Sequence, residues 1–146
     1  MNEILRTELT TDPLGLGYAA HIASGADSAL ADMLNEVRES IQIDRLVERS
    51  TIKTLFFGTG EMLALKAATS PEAQSAVMYL SDPDYVHVDL TLPVVQGMMA
   101  ALLLQGVLSQ NTVDAIQAMG KRGGSRAEQL GLGAVSHEQI AKALRG

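Results

Sequence analysis

Apolar positions along this chain recur mostly at helical spacing, and glycine and proline interrupt them often. Over 1–9, Ile4, Leu5 and Leu9 fall on one side of a short helix. Asp12-Pro13 stops it, because the residue before a proline is pushed out of helical geometry. The segment 13–18 then reads as a tight loop whose two glycines permit positive φ. Leu14, Leu16 and Tyr18 make it apolar, so it is expected to pack on the body of the protein. Over 27–38, Leu30, Met33, Leu34 and Val37 follow the i, i+3, i+4, i+7 rule. Asp27 and Asp32 come early and Arg38 late, as the helix dipole favours.

The stretch 41–57 mixes strand and helix spacing. Ser50 can cap a helix over 51–57, which Gly58-Thr59-Gly60 breaks. Thr59 or Gly60 opens the next helix, over 61–68. Ser70-Pro71-Glu72 starts another, with Ala73, Ala76, Val77 and Leu80 as its inner stripe. The stretch 85–90 alternates at period two, which allows an extended segment, but it is too short and solitary to argue for a sheet. The segment 93–105 is the most apolar helix, closed by Gly106 in a left-handed cap. Being hydrophobic nearly all round, it belongs in the centre or at a subunit contact. Ser109 or Asn111 caps a helix that carries Val113, Ile116 and Met119 inward and stops at Gly120. The residues 121–124, Lys-Arg-Gly-Gly, read as a basic, flexible linker. Ser125 caps a short turn reaching Leu130. Ser136 and Gln139 have capping-box spacing for a last helix, with His137, Ile140, Ala141 and Leu144 on one side.

These elements give a mostly α fold: a single compact domain of about six to eight short helices with irregular Gly/Pro-rich connections. Within it, 1–25 forms an N-terminal helix and loop, 26–120 the core, 121–124 the linker and 125–146 a C-terminal helical segment. Composition agrees. The chain has 146 residues, 47% hydrophobic and 19% charged, which is globular rather than disordered. Only 3% are aromatic, so the core is aliphatic and methionine-rich, which favours packed helices over sheets. There is no cysteine, which excludes disulfides, thiolate nucleophiles and cysteine metal sites. The first residues lack the apolar run of a signal peptide. The run 92–108 is shorter than the ~20 residues a bilayer span needs.

The candidate chemistry is sparse. His21, His87 and His137 lie in separate segments with no paired-histidine metal spacing. Asp82, Asp84, His87 and Asp89 are the densest set of oxygen and nitrogen ligands. A calcium loop starting at Asp82 would need glycine and glutamate where His87 and Pro93 stand, so a helix stop and solvated connector is the expected reading. Gly58-Thr59-Gly60 lacks the remaining residues of any phosphate loop. No nucleophile elbow or paired-carboxylate arrangement can be argued. The expectation is therefore no catalytic residue, no metal and no cofactor. Lys121, Arg122 and Arg126 form the one basic cluster, able to hold an anion or touch nucleic acid. A net charge of −6 and the absence of interleaved aromatics weigh against nucleic acid.

The segment 10–18, with its Asp-Pro-Leu-Gly-x-Gly-Tyr run from Asp12 to Tyr18, resembles the opening of an uncharacterised family of small tailed-bacteriophage proteins. In that family an Ala/Asp-rich helix ending in Leu-Asn follows, as 26–35 does here with Leu34-Asn35. The run Ser125-Arg126-Ala127-Glu128-Gln129-Leu130-Gly131-Leu132-Gly133, followed by Val135, is similar to the family's closing segment. Between these ends only the helical layout matches. The resemblance implies a viral origin and a virion or assembly component in head, neck or tail, assembled in the host cytoplasm. It supplies no catalytic residue. Such a protein would act through contacts with other phage structural proteins in symmetric multimers, without a membrane. Leu14, Leu16, Tyr18, Lys121, Arg122 and Arg126 are the candidate interaction residues. The alternative is a small intracellular phage factor that binds a host protein or nucleic acid.

Overall fold

The structure, a computed structural model, describes residues 1–146. It is mostly α-helical. In chain order the elements are α1 Asn2–Thr11, α2 Ala19–Ser24, α3 Asp27–Asn35, β1 Arg38–Asp44, β2 Val47–Glu48, α4 Arg49–Thr59, α5 Glu61–Ala67 and α6 Pro71–Ser81. There follow β3 His87–Val88, α7 Pro93–Leu104, α8 Gln110–Met119, β4 Lys121–Gly124, α9 Arg126–Gln129 and α10 His137–Arg145. Strand β1 pairs with β4, and β2 with β3. The chain forms two compact units. A terminal unit comprises Met1–Ile43 and Gly123–Gly146, and a central unit comprises Asp44–Arg122. The boundaries thus differ from those read in the sequence: 26–120 belongs to both units, and the two ends of the chain build one unit together.

In the terminal unit, α10 packs on α1 and α3, and α3 also meets α2 and α9. Leu5, Leu9, Tyr18, Leu30, Leu34 and Ile140 fill its core. Helix α1 ends as expected. Asp12 turns left-handed (φ 44°) ahead of Pro13, and its amide donates to the Glu8 carbonyl at 2.9 Å. A non-glycine residue there is strained, and the Asp12 carboxylate offsets the strain by accepting from the Leu16 and Gly17 amides at 2.7 and 2.8 Å. Asn35 ends α3 and ties it to the approach of α10. Its side-chain amide donates to the Val135 carbonyl at 2.7 Å, and its side-chain oxygen accepts from the Val135 amide at 2.8 Å. Asn35→Ala leaves both backbone groups without these partners and is expected to cost about 1–3 kcal/mol in denaturant unfolding. Asn35→Asp, which keeps only the acceptor, should fall between the two.

In the central unit, α4 to α8 pack in sequence, each on the next, with β2 against α4. Strands β2 and β3 are antiparallel, Val47 opposite Val88 and Glu48 opposite His87. Ile52, Phe56, Leu65, Leu80, Leu102 and Ile116 are among the core residues. Ser70 caps α6 by accepting from the Ala73 amide. Glu61 ties α5 to the start of α8. It accepts from the Ser109 amide at 3.1 Å and from the Thr112 hydroxyl.

Several local readings need correction. The residues 121–124 are strand β4 rather than a flexible linker. The glycines serve close approach: a Cβ on Gly124 would sit 2.9 Å from the Ile43 side chain. Helix α3 stops at Asn35, and Arg38 already belongs to β1. Helix α4 runs through Gly58 and ends only at Gly60, which takes the left-handed conformation (φ 78°) that glycine adopts without strain. Of 85–90 only His87 and Val88 are extended, and they are not solitary, because β2 supplies a partner. His137 is exposed, and Ala143 takes the inward place beside Ile140. Ser109, not Asn111, caps α8, and Ser125 forms a complete capping box with Glu128. The box read between Ser136 and Gln139 is present, and Gly106 is left-handed (φ 73°).

Candidate functional site

Of the residues singled out in the sequence, the structure brings Tyr18 and Arg126 onto one carboxylate. Tyr18 is wholly buried, and its hydroxyl donates to Glu8 Oε1 at 3.1 Å. Arg126, at the start of α9, grips the same carboxylate with two parallel bonds: Nε to Oε1 and Nη2 to Oε2, both 2.8 Å. Glu8 is only 3% exposed, so this is a buried, bidentate ion pair with a phenol as third member. Burial first, then the Glu8 charge, push the Tyr18 hydroxyl far above its ordinary range, and it stays protonated. Leu16 is half-buried against the same core, while Leu14 is exposed. Lys121 forms an exposed ion pair with Asp44, and Arg122 lies beside it on β4. Tyr18 and Arg126 are thus internal fasteners of the terminal unit rather than surface contacts.

The acidic connector is also built from local closures. Asp82 accepts from the Asp84 amide at 2.9 Å. Asp89 accepts from the Thr91 amide at 2.9 Å and the Thr91 hydroxyl at 2.6 Å. His87 sits exposed on β3, and its carbonyl accepts from the Tyr79 hydroxyl. No three acidic or imidazole groups in the chain converge into a set that could hold a metal ion.

Asp12 and Asp89 share one electrostatic feature. The Gly17 amide above all, outweighing desolvation and helped by Leu16, holds the Asp12 carboxyl below its ordinary 3.8. The Thr91 hydroxyl and amide do the same for Asp89. A carboxylate whose folded value is depressed contributes stability above its unfolded value and loses it as the pH falls. The denaturation midpoint is therefore expected to drop as pH falls below about 4, and Asp12→Asn with Asp89→Asn should remove part of that drop.

The most distinctive internal feature lies in the central unit. Helices α4, α6, α7 and α8, with β3, surround an apolar cavity of about 160 Å³. Phe56, Ala76, Leu80, Met99, Leu102 and Ile116, all core residues, line its depth. Tyr79, Val94 and Met98 line it too and reach solvent, with Val94 69% exposed. Tyr79 is held from the far side by Tyr85, their rings 4.6 Å apart. Native cores seldom leave spaces much larger than a water molecule. A second, polar cavity of about 210 Å³ lies beside Gln96, Gln117, Asp44 and Lys121. Its groups satisfy one another, Gln96 with Gln117 and Asp44 with Lys121. Sequence pattern could not show the apolar cavity, because it arises where four helices separate in sequence converge without fully closing.

No protein-family model, curated protein or solved structure matches the chain. The candidate site therefore stands on its own geometry. That geometry comprises an apolar cavity and several exposed apolar side chains in the central unit, and a terminal unit fastened from within.

Proposed function

We propose that this chain is a non-enzymatic structural or assembly component of a tailed-bacteriophage virion, in its head, neck or tail, acting through protein–protein contacts in symmetric multimers. The observation that carries the reading is a set of large apolar side chains exposed on the central unit. Phe57, Leu63, Met78, Val94 and Leu104 all lie largely in solvent, Leu104 at 90%. Side chains of this kind are what a protein–protein contact would cover. Val94 and Leu104 stand at the two ends of α7, within a stretch from Leu90 to Val113 that carries no charged residue. An interface core is depleted of charge in the same way. The phage assignment rests on the resemblance of 10–18, 26–35 and 125–133 with Val135. Those residues all lie in the terminal unit.

The expected outcome is that purified virions contain the protein at a fixed copy ratio, measured by quantitative mass spectrometry. Val94→Asp with Leu104→Asp should remove it from particles while leaving its own unfolding free energy within about 0.5 kcal/mol, since both positions are solvent-facing. Particles lacking the wild-type chain would refute a virion role. Particles that retain the double variant at full copy number would refute α7 as the contact.

A further inference from the structure

The cavity of the central unit has a chemistry of its own, although Val94 at its mouth also belongs to the proposed assembly contact. Its lining comes from β3 and four helices and is hydrocarbon or thioether throughout, except for Tyr79. The Tyr79 hydroxyl is directed to the His87 carbonyl at 3.4 Å. The lining thus offers no charged group and no amide to a ligand held within it. A carboxylate, phosphate or ammonium placed there would lose its hydration with nothing to replace it. The space of about 160 Å³ is close to that of apolar protein cavities that take up benzene. Met98 and Met99 on one wall are unbranched and adapt to irregular shapes. The exposed Val94 and the half-buried Met98 and Tyr79 show where the cavity meets solvent, so a larger molecule can leave its polar part outside.

We infer that this cavity is a binding site for the uncharged hydrocarbon portion of a small ligand, either one aromatic ring or an alkyl chain of about six to eight carbons. Recognition is by shape and desolvation, and a charged group on the inserted portion is excluded.

The test uses the full chain with isotope-labelled methionine methyls, titrated separately with toluene, 1-octanol and benzoate. Toluene, 1-octanol or both should shift the Met98 and Met99 methyl signals saturably and raise the melting temperature with ligand concentration, as linkage requires. Tighter binding of 1-octanol would identify an alkyl ligand, and tighter binding of toluene an aryl one. Benzoate should bind at least about tenfold more weakly than toluene. Ala76→Leu fills the cavity from α6 and should weaken binding at least about tenfold while leaving the melting temperature equal or higher. If that variant does not fold, Val95→Leu is the second filling variant, with the same expectation. Shifts that never saturate, benzoate binding as tightly as toluene, or unchanged affinity in a folded filling variant would each overturn the assignment.

Discussion

Glu8→Ala is expected to lower stability by about 3–5 kcal/mol, the range for breaking a buried ion pair by removing one partner. For a chain of this size that is a fall in melting temperature on the order of 10 °C. The magnitude follows from what remains. Arg126 would keep a guanidinium whose side chain is 12% exposed, with no anion opposite it, and Tyr18 would keep a buried hydroxyl with no acceptor. Arg126→Ala should cost a similar amount by leaving the Glu8 carboxylate buried and uncompensated. The double variant Glu8→Leu with Arg126→Met should recover much of the loss, because both charges leave together and the methionine retains the aliphatic volume. Tyr18→Phe should cost less, about 1.5–3 kcal/mol, the net worth of one hydrogen bond to a charged group. The raised Tyr18 ionisation adds a pH signature. Its contribution is complete below the ordinary value of 10.0 and declines as the pH climbs past it, so Tyr18→Phe should flatten the alkaline limb of the stability profile. A Glu8→Ala variant as stable as the parent would mean that the pair fastens nothing.

Phe56→Ala should destabilise by about 3–5 kcal/mol, while Phe57→Ala, one residue on, should stay within about 0.5 kcal/mol. Both sit near the end of α4. Phe56 is 4% exposed and touches the cavity and the main core, whereas Phe57 is 63% exposed. The contrast isolates burial from residue type, since sequence, helix and side chain are held nearly constant. Urea unfolding of the two variants with a shared slope measures it. Equal losses would place Phe57 in an interface already formed in the isolated protein. Phe57→Ala should instead weaken partner contact if the outer face of the central unit is the docking surface.

The turn and cap residues at the two ends of the chain have an evident physical use. Asp12 closes the turn after α1, Tyr18 and Arg126 meet on Glu8, Ala127 is core, and Asn35 is bonded to Val135. Their pattern is legible because each turn or cap has a local signature, yet their role is structural. The candidate interaction surface shifts accordingly from Tyr18 and Arg126 to Val94, Leu104 and their neighbours. The notable apolarity of α7 pointed there, but helical spacing did not separate its buried Met99 and Leu102 from its exposed ends, because apolar residues surround the whole helix.

What the sequence determined by itself was local: helical character, the stops at Asp12 and Gly106, and the capping serines at 70 and 136. These depend on backbone sterics and hydrogen bonds between residues a few positions apart, so the information needed lies within one turn. The tertiary structure alone decided which residues meet across the chain. Arg126 reaches Glu8 from 118 positions away, and the glycines after Arg122 prove to be strand rather than linker because Ile43 packs against one of them. It also decided that four helices would leave an apolar cavity between them. Such features follow from long-range packing geometry, in which a side chain's partner is set by the fold rather than by its neighbours in sequence.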